Sequence, residues 1–172
     1  MDSIISINQP APDFALSDLD GENHQLTDWR GRIVILVFWS AECPWSGQTD
    51  KEINDAIRSW GEKVVWCSIA SNANEPVELL QQVADQRKLP LLLYDPLEMI
   101  ADLYGAQTTP HVYVVDEKGI LRYQGAVNDR TFRKRQPSRF YLRDAVEALL
   151  AGHLPELAKT APYGCTLVRF NE

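Results

Sequence analysis

The chain has 172 residues, of which 45% are hydrophobic and 24% charged, and its net charge is −7. That length and balance predict one globular domain over residues 1–172 with a full core. The acidic excess argues against a nucleic-acid partner, because phosphate binding needs clustered positive charge.

The opening "MDSIISINQPAPDF" has no basic leader, and its apolar positions are interrupted by Ser, Asn and Gln. With no signal segment, and no apolar run near the roughly 20 residues of a membrane helix, the expectation is a cytoplasmic protein with no membrane partner. "APDFALSDLDGENHQLTDWRGR" alternates around Asp20-Gly21 and predicts a hairpin with strands near Phe14–Ser17 and Asn23–Leu26. "IVILVFW" is a β-branched and aromatic run typical of a strand buried on both faces. Cys43 follows it, then Pro44 at a first-turn position, and Ile53, Ile57 and Trp60 at helical spacing.

"KVVWCSIAS" reads as a second buried strand and "PVELLQQVADQRK" as an amphipathic helix opened by Pro76. "LPLLLYD" reads as a third strand, and "PLEMIADLYG" as a short helix stopped by Gly105. "HVYVVDEKGILRYQG" is a hairpin turning at Glu117 to Gly119. "RFYLRDAVEALLAG" is a last helix closed by Gly152, and a tail with "YGCTLVRF" ends the chain. Buried strands alternating with helices imply a mainly parallel central sheet covered on both faces, with an antiparallel edge from the closing hairpin.

Three segments, taken together and in this order, resemble the thioredoxin superfamily in its AhpC/TSA, or redoxin, branch. "APDFALSDLDGENHQLTDWRGRIVILVFWSAEC" is similar to that branch's hairpin, first core strand and active-site turn. "TTPHVYVVDEKGILRYQG" is similar to its cis-proline loop and hairpin. "YLRDAVEALLAG" with "APYGCTLVR" resembles a peroxiredoxin-like subgroup with one active-site cysteine and a second in a C-terminal G-C motif. The resemblance implies an α/β thioredoxin-like fold, with a mixed sheet flanked by helices, an N-terminal hairpin and a C-terminal tail. It also implies thiol oxidoreductase chemistry without metal or organic cofactor. Cys43 matches the first cysteine of the thioredoxin-like C-x-x-C pair and Ser46 the second. A peroxiredoxin carries its peroxidatic cysteine at the position of Ser46, so the usual peroxidase constellation is not in place.

A thiol at a helix start faces unpaired N–H groups and the positive end of the helix dipole, which favour the thiolate. Cys43 is therefore the candidate nucleophile, the alternative being an inert half-buried cysteine. Ser46 cannot form a disulfide; its hydroxyl either donates to the Cys43 thiolate or only fills the first turn. By the resemblance Pro110 is cis, which brings Thr109 against the thiol with its backbone open to a substrate strand. The alternative is a trans proline at a strand start.

His111 would lie within reach of the thiol, as a base or thiolate partner, unless its strand turns it away. Trp45 is expected to be exposed in the turn, touching substrate or packing under the tail. Cys165 is the candidate resolving cysteine if the tail folds back on Cys43, and otherwise a distant tail residue. Cys67 reads as a buried small hydrophobe. No His/Cys spacing matches a zinc site. The basic run Arg130 to Arg139 reads as a solvated loop or a partner patch.

The expected partners are a disulfide-containing protein, or a small thiol or peroxide substrate, together with an external thiol reductant. A hydroperoxide reductase using Cys43, and a non-catalytic redox sensor or binding module, stand as alternatives.

Overall fold

The computed structural model describes residues 5–169. Among the described residues, nine strands and four α-helices follow in chain order. They are β1 (Ala15–Asp18), β2 (Asn23–Gln25), β3 (Ile33–Trp39), α1 (Pro44–Trp60), β4 (Val64–Ala70), α2 (Val77–Gln86) and β5 (Leu92–Tyr94). Then come α3 (Met99–Tyr104), β6 (Thr108–Thr109), β7 (His111–Val115), β8 (Leu121–Gly125), α4 (Tyr141–Leu150) and β9 (Cys165–Thr166).

The expected second hairpin strand stops at Gln25. Leu26–Trp29 instead form a 3-10 turn that drives Leu26 and Trp29 into the core. β1 and β2 pair around Asp20-Gly21, with Gly21 at φ +89°, a backbone state that favours glycine.

Seven strands form one sheet in the order β2-β1-β5-β4-β3-β7-β8. Between its strands, parallel pairing is confined to β3 with β4 and β4 with β5. The sheet is mixed rather than mainly parallel, because the N-terminal hairpin joins it antiparallel through β1 and β5, and β7 runs antiparallel to β3.

All seven residues of β3 are buried, which is why its sequence is apolar without alternation. Ile33, Ile35, Val37 and Trp39 face Ile53 and Trp60 of α1, Leu80 of α2 and Leu142 and Val146 of α4. Val34, Leu36 and Phe38 face the other way, toward Phe14, Trp29, Ile100, Tyr104 and Tyr113. Each fully buried aliphatic side chain contributes about 1.5–3 kcal/mol, so this strand anchors both layers. Its C-terminal end carries the turn that leads to Cys43. No helix among the described residues is long and apolar enough to cross a membrane.

Candidate active site

Cys43 is the N-cap of α1, in extended conformation, with Pro44 in the first turn. Pro44 gives up no helical hydrogen bond there, since a first-turn N–H has no intrahelical partner. Cys43 is 2% exposed. It lies against the Thr109-Pro110 peptide, which is cis as the resemblance implied, and its Sγ donates to the Thr109 carbonyl at 3.0 Å. The Sγ atoms of Cys43 and Cys165 are 2.7 Å apart. The tail therefore brings together two cysteines separated by 122 positions in the chain.

The path of the tail explains how. Thr160 and Ala158 bond to the backbone of Gln124 on the outer edge of β8. The tail then crosses the mouth of the site and pairs antiparallel with β6, Thr109 opposite Cys165 and Thr108 opposite Thr166. The backbone edge at Thr109, expected to be open to a substrate strand, is thus occupied by the chain's own β9. Trp45 is half-buried, its ring edge-on to Tyr163 with centroids 5.0 Å apart, so it packs under the tail.

Electrostatics separate the two thiols. Burial pushes the Cys43 thiol up. The hydrogen bonds from the Cys165 thiol and from the Ser46 and Cys165 N–H groups outweigh that, and hold it below its ordinary value. Cys165 moves the other way, through burial first, then its bond to Cys43 and the negative charges of Cys43 and Glu75. Of the two thiols, Cys43 is therefore the easier to deprotonate.

Two sequence-based expectations change. The Ser46 hydroxyl does not reach the thiol; its oxygen accepts the Ser40 N–H at 3.3 Å, and Ser46 serves Cys43 through its backbone N–H. His111 is buried, stacked on Tyr113 at 4.7 Å, and its Nδ1 accepts the Gln107 N–H at 3.2 Å. Strand parity is the reason: in β7, Val112 and Val114 face the α1 side, whereas Tyr113 and Val115 face the α3 side. His111 shares Tyr113's side and is a packed residue rather than a base at the thiol. Burial, then the Lys159 charge, brings its pKa down to about 4, so it is neutral at pH 7.

Three residues of the site were not singled out by the sequence reading. Glu75, buried in the loop after β4, accepts from the Ser40 hydroxyl at 2.6 Å, the Ala41 N–H at 3.0 Å and the Glu42 N–H at 3.2 Å. It grips the turn that presents Cys43. Arg87, just past α2, donates to the carbonyls of Ser40 at 3.2 Å and Ala41 at 2.8 Å, with its guanidinium 5.3 Å from the Trp39 ring. Asp50 accepts the Trp39 indole N–H at 2.7 Å and lies 3.4 Å from Arg87. Burial outweighs these contacts and raises its pKa to about 6. Asp50 falls on the buried stripe of α1 with Ser46, Thr49 and Ile53, and an acid on such a stripe is the one clue the sequence held.

The basic run is a surface loop wound around Asp129, which accepts the Ser138 and Arg139 N–H groups and pairs with Lys134 at 2.5 Å. Its Arg130 reaches Gln48 on α1 at 2.6 Å. Cys67 is fully buried, as expected, and burial raises its pKa beyond reach of ordinary titration. His24 pairs with Asp18 at 2.8 Å in the N-terminal hairpin.

A cysteine at a helix start with its pKa held down, under a cis proline on this mixed sheet and beside a second thiol, defines a thioredoxin-fold, thiol-dependent oxidoreductase. The chain belongs to the AhpC/TSA family, whose model matches residues 7–124. It is 29% identical over 119 residues to the thiol-disulfide oxidoreductase ResA of Geobacillus thermodenitrificans, covering 69% of this chain and 68% of the relative. It is 28% identical over 120 residues to the thiol:disulfide interchange protein DsbE of Allochromatium vinosum, covering 69% and 65%. The chain thus spans about two thirds of the length of these relatives. The fold of an uncharacterized conserved protein from Geobacillus kaustophilus covers all of this chain and 97% of that one, with a TM-score of 0.87 at 24% identity. That likeness includes the tail.

Proposed function

We propose that the protein is a thiol–disulfide oxidoreductase in which Cys43 is the nucleophile and Cys165 the resolving thiol. The observation that carries this reading is the 2.7 Å approach of the two sulfurs beside the cis proline, held by the pairing of β9 with β6. The Cys43 thiolate attacks one sulfur of a substrate disulfide. The substrate's S–S bond breaks, a mixed disulfide forms on Cys43, and the other substrate sulfur leaves as a thiolate that takes up a proton. Cys165 then loses its proton and attacks Cys43 Sγ, releasing the second substrate thiol and forming a Cys43–Cys165 disulfide. An external dithiol reduces that disulfide and restores both thiols. The names of the ResA and DsbE relatives agree with this cycle.

The depth of Cys43, 2% exposed, favours a second reading in which a small hydroperoxide is the oxidant. Peroxide would convert the thiolate to a sulfenic acid with release of water or alcohol. Cys165 would condense with it, forming the same disulfide and water.

Mass-spectrometric mapping of cysteine links tests both. After a model disulfide, a Cys43–Cys165 link that a dithiol removes is the expected result; free Cys165 beside a persistently modified Cys43 would remove the resolving role. A link formed faster with peroxide than with the disulfide would favour the second reading.

A further inference from the structure

From Tyr163 to Arg169 the tail is seated residue by residue. Tyr163 lies edge-on to Trp45, and its hydroxyl accepts the Phe132 N–H at 2.7 Å. At Gly164 a Cβ would stand 2.2 Å from the Thr109 carbonyl oxygen and 2.9 Å from the Pro110 ring, so only glycine fits. Cys165 meets Cys43. Thr166 pairs with Thr108 through its backbone and is exposed. Leu167 is buried at 4% exposure among the residues on the α3 side of the sheet, and its N–H bonds to the Gln107 carbonyl at 3.1 Å. The Val168 N–H donates to Asn72 at 2.8 Å, and its carbonyl accepts the Ala73 N–H at 3.0 Å. Arg169 pairs with Asp102 and Glu98 and donates to the Ala106 carbonyl at 2.8 Å.

This is how a bound peptide sits: the main chain pairs with a strand edge, and spaced side chains enter fitted positions. We propose that the groove is a recognition site for an extended, cysteine-bearing segment of a partner protein, and that the tail is the chain's own copy of that segment. The favoured partner segment has an aromatic residue two before its cysteine, glycine directly before it, an aliphatic two after it and a basic residue four after it. The tail itself argues for this occupant, because it fills each position with that chemistry. The proposal rests on Cys43 being the nucleophile. The partner's cysteine arrives in a disulfide, Cys43 attacks its sulfur, and the other half of that disulfide leaves as a thiolate. A tethered tail acts at an effective concentration on the order of millimolar, so a partner segment enters when the tail is displaced.

The test uses the peptide Tyr-Gly-Cys-Thr-Leu-Val-Arg, blocked at both ends and carrying thionitrobenzoate on its cysteine, so that attack by Cys43 releases a coloured thiolate. A second peptide has alanine in place of its glycine. The full-length protein is compared with Gly164→Ala, which pushes its own tail off the cis-proline loop, and with Leu167→Asp, which withdraws the tail's buried anchor.

Both variants should react with the glycine peptide faster than the unmodified protein does. They should prefer it to the alanine peptide by on the order of tenfold, the penalty for forcing a methyl into a filled space. Equal rates with the two peptides would overturn the proposal. So would a rise in dimer with no peptide selectivity, which would assign the groove to the tail of a second copy. The reaction of Cys43 with free dithiobis-nitrobenzoate separates the two layers of argument. If Cys43 is inert to that reagent as well, its role as nucleophile falls; if it reacts but ignores the peptide sequence, only the recognition site falls.

Discussion

Replacing Glu75 with alanine tests whether a carboxylate 32 positions beyond Cys43 holds the turn that presents it. The substitution removes the acceptor of three hydrogen bonds, those from the Ser40 hydroxyl and from the Ala41 and Glu42 N–H groups. Glu42 is exposed and its N–H can turn to water, whereas Ser40 and Ala41 are buried and lose their partner outright. A buried donor left unpaired costs about 1–3 kcal/mol. Two such losses, less the relief of no longer burying a carboxylate, give a destabilisation of about 3 kcal/mol. In a chain of this size that lowers Tm by about 6–12 °C.

The same loop fastens the tail, through Asn72 and Ala73 to Val168. Cys165 should therefore become more accessible to alkylation in the same variant. Urea unfolding followed by tryptophan fluorescence gives the first quantity, and timed alkylation with peptide mapping gives the second. A stability loss below about 0.5 kcal/mol, with alkylation of both cysteines unchanged, would refute the reasoning. Glu75→Gln should fall between, because its amide keeps one acceptor oxygen but turns a donor toward other donors.

Asp50→Asn keeps an acceptor for Trp39 and removes a carboxyl whose folded pKa, about 6, lies above its ordinary 3.8. The folded state binds the extra proton between those values, so this group makes stability fall as pH rises from about 4 to about 6. The variant should lose that part of the slope in urea unfolding compared across pH; an unchanged slope would count against a buried, proton-binding Asp50. His111 has the opposite sign: with a folded pKa of about 4, its contribution is present above 6.5 and is lost as pH falls toward 4. Its ring resonances in NMR should stay in the neutral form down to about pH 5, and a midpoint near 6.5 would contradict its burial. Cys165→Ala removes a donor to the Cys43 thiolate, so the midpoint of the Cys43 alkylation rate against pH should move upward. A midpoint that stays or falls would mean that the helix start and backbone N–H groups suffice.

What could be read in the sequence was what is local. β3 announces itself because seven consecutive buried positions leave no polar alternation, and Cys43 because an N-cap and a following proline are neighbours in the chain. The cis proline came from the resemblance, which joined "TTPH" to the thiol. The mixed sheet was less legible: whether β1 runs antiparallel to β5 depends on a pairing between Ser17 and Tyr94, far apart in sequence. β9 was illegible for a related reason, being a two-residue ladder on a remote edge with no periodic pattern of its own. Glu75 and Arg87 look like ordinary charged residues, and only the fold reveals that both converge on residues 40–42. Which way His111 faces was left open by the sequence, because nearness along the chain to Pro110 says nothing about which face of β7 it occupies.

The meeting of Cys43 and Cys165 also ties redox state to chain entropy. A bond between them would close a loop spanning 122 positions, from the first turn of α1 through the last helix to the tail. Crosslinks around loops of that order restrict the unfolded chain enough to add roughly 4–5 kcal/mol to stability in the chain-entropy account. The oxidised protein would be a covalent ring from Cys43 to Cys165 with β1, β2 and β3 outside it, and the reduced protein an open chain whose tail is held by non-covalent contacts alone. In the proposed cycle each turnover would alternate the molecule between a covalently closed and an open form, and its melting temperature would be a direct reading of how far the cycle has run.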